Sequence, residues 1–167
     1  EMIVELRPDF IIETGTFLGA SALYMALACD MVNNGKVITI DIQERPDRPP
    51  HPRITYLTGS SIDEGILKIV RETVGEGKRV MVILDSDHSK EHVYAEMKAL
   101  HSLVSVGSYL IVEDTDVNGH PVRPDFGPGP MEAIAAFLSE NQDFVVDTRR
   151  EKFLMTQNPN GFLKRVK

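Results

Sequence analysis

The chain has 167 residues, 42% of them apolar, 26% charged and 7% aromatic, fractions that fit one globular domain of ordinary size. Its 25 acidic and 18 basic residues leave a net charge of −7, which disfavours any partner gripped by its phosphate backbone, so no nucleic acid is expected. No run reaches the roughly 18 consecutive apolar residues of a membrane span, and no membrane partner is expected. The single cysteine, Cys29, makes neither an intrachain disulfide nor a cysteine-rich zinc site and fits a reducing cytoplasm. The chain opens on Glu1 rather than Met, which leaves room for a removed leader.

Apolar β-type runs alternate with helical patterns, and most runs stop at an acidic residue or a glycine. This rhythm predicts an α/β fold, a mainly parallel central sheet with helices on both faces. Phe10 to Ile12 leads to Glu13 and Gly15. A helix is expected from Leu18 to Met31, with Leu18, Ala22, Met25, Ala26 and Cys29 as its apolar face and Asn33-Asn34-Gly35 as its end. Val37 to Ile40 stops at Asp41, and Arg45 to Arg53 holds four prolines, which reads as an exposed loop. Ile54 to Leu57 runs into Gly59-Ser60-Ser61, followed by a helix over about Ile62 to Thr73.

Val80 to Leu84 is continuously apolar, as a central strand covered on both faces requires, and ends at Asp85. Val93, Met97, Leu100 and Val104 mark the buried stripe of a helix from about Ser89 to Leu103. Tyr109 to Val112 stops at Glu113-Asp114, and a glycine- and proline-rich loop from Thr115 to Pro130 precedes a helix over Met131 to Asn141. Phe144 to Val146 and Lys152 to Met155 are expected to close the sheet as an antiparallel pair, with Lys164, Arg165 and Lys167 in a solvated tail. Nothing along the chain marks a repeat or a domain linker.

Parallel α/β sheets bind ligands beyond the carboxyl ends of their strands. Glu13, Asp41, Ser61, Asp85 and Glu113-Asp114 therefore share one edge, although acids there also serve simply as helix caps. Glu13-Thr14-Gly15-Thr16-Phe17-Leu18-Gly19 sets two glycines at a strand-to-helix turn, which lets a ligand approach the backbone. It is neither the three-glycine dinucleotide fingerprint nor a Gly-Lys-Ser/Thr phosphate loop. With Asp41 placed to take both hydroxyls of a ribose, the pattern suggests an adenosine-type cofactor such as S-adenosylmethionine. Asp85, Asp87, Glu113 and Asp114 offer an oxygen-rich set suited to Mg²⁺ or Mn²⁺. His88, three residues after Asp85, is placed to take a proton beside that set, while also fitting a plain first-turn residue. His92 and His101 read as structural.

These residues resemble the cephalosporin hydroxylase family, which includes metal-dependent sugar O-methyltransferases of macrolide biosynthesis and rhamnosyl O-methyltransferases. The carriers are Ile11-Ile12-Glu13-Thr14-Gly15-Thr16 with Gly19-Ala20-Ser21, Leu84-Asp85-Ser86-Asp87-His88, Val112-Glu113-Asp114-Thr115 and Phe126-Gly127-Pro128-Gly129-Pro130. The resemblance covers nearly the whole chain and implies a Rossmann-like methyltransferase fold in a single domain over 1–167. It implies S-adenosylmethionine against Glu13, Gly15, Thr16, Gly19, Ser21, Asp41 and Asp85, with Gly59, Ser60, Ser61 and Asp63 near its adenine. It further implies Mg²⁺ held by Asp85, Glu113 and Asp114, and His88 as general base toward a small-molecule hydroxyl acceptor. Family members usually carry further N-terminal sequence that helps cover the active site; whether the chain forms a homo-oligomer is left open by the sequence. Catechol-type O-methyltransferases are similar but place Lys where this chain has His88, which favours the sugar-modifying branch. An accessory subunit that binds the cofactor without transferring a methyl group is the alternative. His120 and Arg123, in the long loop, are candidate substrate contacts.

Overall fold

A computed structural model describes residues 1–152 and 156–167. Its strands are β1 (Phe10–Thr14), β2 (Lys36–Asp41), β3 (Ile54–Thr58), β4 (Val80–Leu84), β5 (Tyr109–Val112), β6 (Phe144–Val146) and β7 (Phe162–Arg165). They form one sheet in the order β3-β2-β1-β4-β5-β7-β6. The first five are parallel, and β7 runs antiparallel to both β5 and β6. The helices are α1 (Met2–Leu6), α2 (Ala20–Met31), α3 (Glu64–Val74), α4 (Lys90–Leu100) and α5 (Pro130–Glu140).

The alternation of side chains along each strand divides the core in two. Ile12, Ile38, Ile40, Val82, Leu84 and Leu110 pack with α3, α4 and α5 on one face. Ile11, Val37, Met81 and Ile111 pack with α1 and α2 on the other. Val80 to Leu84 lies beside β1 in the register Phe10↔Val80 through Thr14↔Leu84, at the centre of the sheet. Between β1 and β4 the strand order reverses, and here an open α/β sheet splays its connections into a crevice. Among the described residues, no helix is long and apolar enough to cross a membrane.

Four expectations are corrected. The antiparallel partner of Phe144–Val146 is Phe162–Arg165; Lys152 is in no strand, and 153–155, the rest of the expected partner, lie outside the described residues. Lys164 and Arg165 are therefore sheet residues rather than a tail, and Arg165 Nη1 donates to the carbonyls of Ser102 and Val104 at 3.0 and 2.6 Å. Leu18 precedes α2 and is 44% exposed, because the glycine turn occupies the first positions assigned to that helix. The proline-rich loop contains one deeply buried cation, Arg48. The short helix α1 was not anticipated either.

Candidate functional site

A cavity of about 450 Å³ opens at the carboxyl ends of β1 to β4 and is lined among others by Gly15, Asp41, Gly59, Ser61, Asp85 and His92. Its floor depends on Gly15, whose φ is +86°; a Cβ there would lie 1.8 Å from the carbonyl oxygen of Asp85. Only a glycine lets the ends of β1 and β4 meet so closely.

Asp41 ends β2 as a fixed acceptor. Its Oδ2 accepts from the backbone N–H of Phe17 at 2.7 Å, and its Oδ1 from that of Gln43 at 2.8 Å. Arg48 Nη2 lies 3.1 Å from Oδ2, with both side chains largely buried. The same guanidinium donates to the carbonyls of Phe17 at 3.0 Å and Gln43 at 2.7 Å. It thus ties the glycine turn to the loop after β2. Lone-pair capacity remains on Oδ1 for a further donor. Sequence reasoning missed Arg48; its only signal is an arginine among prolines shortly after the strand-ending acid.

The other candidate cofactor residues divide into two groups. Gly15, Asp41, Gly59, Ser61 and Asp85 line the cavity, whereas Glu13, Thr16, Gly19, Ser21, Ser60 and Asp63 are not among its lining residues. Glu13 is buried within β1, where its Oε2 accepts from Thr39 Oγ1 at 2.6 Å. Burial pushes its carboxyl up, against the hydrogen bonds of Ser21 and Thr39. With its proton committed to Glu13, Thr39 accepts from Thr16 at 2.6 Å. These residues brace the glycine turn from behind. Gly19 is the N-cap of α2. The side chain of Asp63 caps α3 by accepting from Gly65 and Ile66 N–H at 2.9 and 3.1 Å. The Ser60 hydroxyl accepts from Ile62 N–H at 3.4 Å.

At the ends of β4 and β5, Asp85, His88 and Asp114 each present a ligand atom within 4.8 Å of the others. His88 Nε2 is 3.4 Å from Asp114 Oδ2 and 3.9 Å from Asp85 Oδ1. Burial pushes Asp85 up to about 6, with His88 pulling down and the charges of Asp114 and Glu96 pushing further up. Glu113 is not in this group. Its Oε2 accepts from Asn158 Nδ2 at 2.5 Å, and burial pushes its carboxyl up to about 7 against that bond. The chain reverses at Asp114 (φ 53°), whose N–H donates to Asn158 Oδ1 at 2.9 Å. Of the expected ligands the structure therefore brings together Asp85 and Asp114, with His88 beside them where Glu113 was expected. Asn158 went unnoticed in the sequence, although Asn158-Pro159-Asn160-Gly161 carries a plain turn signal.

The two carboxylates, with converging oxygen atoms and the imidazole of His88 beside them, suit a small divalent cation that favours hard ligands. Burial first, and then the charges of Asp114 and Glu96, raise Asp85, and a bound cation relieves both costs. The cavity beside it has the glycine floor and fixed acid that a nucleoside requires. Asp87 lines the cavity and is held low by the hydrogen bonds of Ser89. His92, read as structural, lines it too. His101 is structural as expected, with Nδ1 3.1 Å from the carbonyl of Met97 and its ring edge-on to Phe137. His120 is committed to Glu132 at 2.9 Å, and Arg123 lies over the ring of Phe126.

Comparison with known proteins places this geometry. A model of the family described as Rhamnosyl O-methyltransferase/CmcI matches residues 1–166. The Rhamnosyl O-methyltransferase of Mycobacterium tuberculosis (strain H37Rv) is 44% identical over 173 residues, covering 99% of this chain and 70% of its own length. That of Mycobacterium leprae is 42% identical over 172 residues, covering 99% and 75%. A CmcI structure with Mg and SAM superposes with a TM-score of 0.69 at 25% identity over 99% of this chain and 68% of that one. MycE from the Mycinamycin pathway, in complex with Mg, SAH and Mycinamycin VI, gives 0.69 at 17% identity over 99% and 47%, a likeness of fold. The Rossmann-like methyltransferase fold, the strand-end acids and the match over almost every residue agree: this chain belongs to the Rhamnosyl O-methyltransferase/CmcI family.

Proposed function

We propose that this protein transfers a methyl group from S-adenosylmethionine to a hydroxyl of a small molecule bearing a sugar, with Mg²⁺ at Asp85 and Asp114. The observation that carries the proposal is the junction of two sites: Asp85 belongs both to the cavity wall and to the cluster with His88 and Asp114. The names of the relatives support a sugar as acceptor, and a cytoplasmic setting suits the one buried thiol, Cys29.

Each residue's contribution follows from its position. Asp41, immobilised by Arg48 and two backbone N–H groups, accepts from the ribose hydroxyls. Gly59 and Ser61 border the nucleobase, and Gly15 leaves room for the amino-acid end. When bound, the sulfonium supplies an activated methyl group and the divalent cation a Lewis acid for the acceptor oxygen. Asp85 and Asp114 orient that end of the site. His88 takes the hydroxyl proton at Nε2, imidazole being the side chain suited to this near neutral pH. Lys90 N–H donates to the Pro128 carbonyl at 3.1 Å, tying the long loop to the helix start two residues from His88, where it contributes to excluding water.

Mass spectrometry of rhamnose-bearing glycosides after incubation with the protein, S-adenosylmethionine and Mg²⁺ tests the reading. Gain of one methyl group supports it. Calorimetry showing no binding of S-adenosylhomocysteine would sink it.

A further inference from the structure

Glu96 is wholly buried in α4, and no step described so far uses it. Its Oε1 accepts from Ser61 Oγ at 2.5 Å and Ser86 Oγ at 2.7 Å, with His92 Nε2 at 3.4 Å from the same oxygen. Its Oε2 is buried without a partner. Ser61, Ser86 and His92 all line the cavity, while Glu96 lies behind them. Burying a carboxylate with one oxygen unpaired is costly, and α4 already packs through Val93, Met97 and Leu100. Packing does not account for it.

A serine hydroxyl has one hydrogen and two lone pairs. With both hydrogens committed to Glu96, Ser61 and Ser86 can show the cavity only lone pairs. An exocyclic amino group, with two N–H donors on one nitrogen, satisfies both. A carbonyl at the same position would set lone pairs against lone pairs. We infer that Glu96 is a positioning residue that, by holding the hydroxyl hydrogens of Ser61 and Ser86, makes this pair of hydroxyls acceptors only and so selects a 6-aminopurine over a 6-oxopurine. The inference rests on the reading of the cavity as the nucleoside site, and it assigns to a residue outside the cavity the discrimination made within it.

Calorimetric titration with S-adenosylhomocysteine and S-inosylhomocysteine tests it, in the parent, Glu96→Leu and Glu96→Gln. The parent should favour the adenosyl compound by about tenfold or more, since a site built to accept from a ligand's amino group rejects an analogue with a carbonyl there. Glu96→Leu frees the serine hydroxyls to donate to a 6-oxo group and should bring the preference to within about threefold. Glu96→Gln keeps an acceptor oxygen and should restore the preference. Should circular dichroism show Glu96→Leu unfolded, the Ser61→Ala/Ser86→Ala double variant decides, because it removes both acceptors and must lose the preference. An unchanged preference in the folded Leu variant, or in the double variant, overturns the inference. Equal binding of both compounds by the parent also overturns it but leaves the cofactor reading intact, whereas binding of neither overturns the cofactor reading itself.

Discussion

His88 and Arg48 show how differently single residues declare themselves. His88 lies within one helical turn of Asp85 in sequence, so its place beside the strand-end acids could be read from spacing alone. Replacing it with Ala should lower kcat by about 10² to 10⁴ while leaving S-adenosylhomocysteine affinity within about twofold, as loss of a general base does; steady-state kinetics with calorimetry on the same preparation measure both. Arg48 acts at a distance of seven residues from Asp41 through bonds to two loops, and nothing in a proline-rich stretch signals that. Arg48→Met strands Asp41 and two carbonyls, which should cost about 3 kcal/mol in urea denaturation and weaken S-adenosylhomocysteine by about tenfold or more. That Glu113 stays out of this cluster was likewise illegible. It depends on the left-handed backbone at Asp114 and on Asn158, a partner 44 residues further on.

Among the elements, those with strong periodicity were legible and those held by their neighbours were not. Val80–Leu84 is apolar throughout, as a central strand requires, α4 keeps its expected stripe, and α3 lies where a helix was expected. By contrast β7 has Phe162 and Leu163 followed by Lys164 and Arg165, a pattern that becomes a strand only because β5 and β6 flank it. Five residues, Met2–Leu6, are too few to show a helical period. The start of α5 offers a test of pH dependence. Burial alone would raise Glu132, but bonds from His120, Gly129 N–H and Asn118 outweigh it and hold the carboxyl at about 2. A folded-state value below the unfolded one means that its stabilisation is complete above about pH 4.5 and is lost as the pH falls through about 2. In urea denaturation the stability difference between the parent and Glu132→Gln should therefore be largest above about pH 5 and vanish near pH 2. A difference that stays constant across that range would show that the carboxylate charge does not hold this helix start.

At the scale of the molecule, one topological fact organises the site. Because the order reverses between β1 and β4, the glycine turn, Asp41, the Ser61 loop and Asp85 converge, although they span seventy positions of sequence. That convergence was readable from the βαβ rhythm, since the parallel sheet places every strand end on one edge. Hydrogen-bond direction within the cavity was not, because it arises from Glu96 on a helix whose sequence marks only its apolar stripe. The two cores hold the strand ends in place, and β4 and β5 bring Asp85 and Asp114 into one cluster with His88. Cation-dependent methyl transfer at that cluster is the central claim, and turnover of a rhamnoside acceptor in excess chelator, followed by Mg²⁺ in excess of the chelator, tests it most directly. Methyl transfer should fall to background with the chelator and return with Mg²⁺; full turnover in the chelator would contradict the claim.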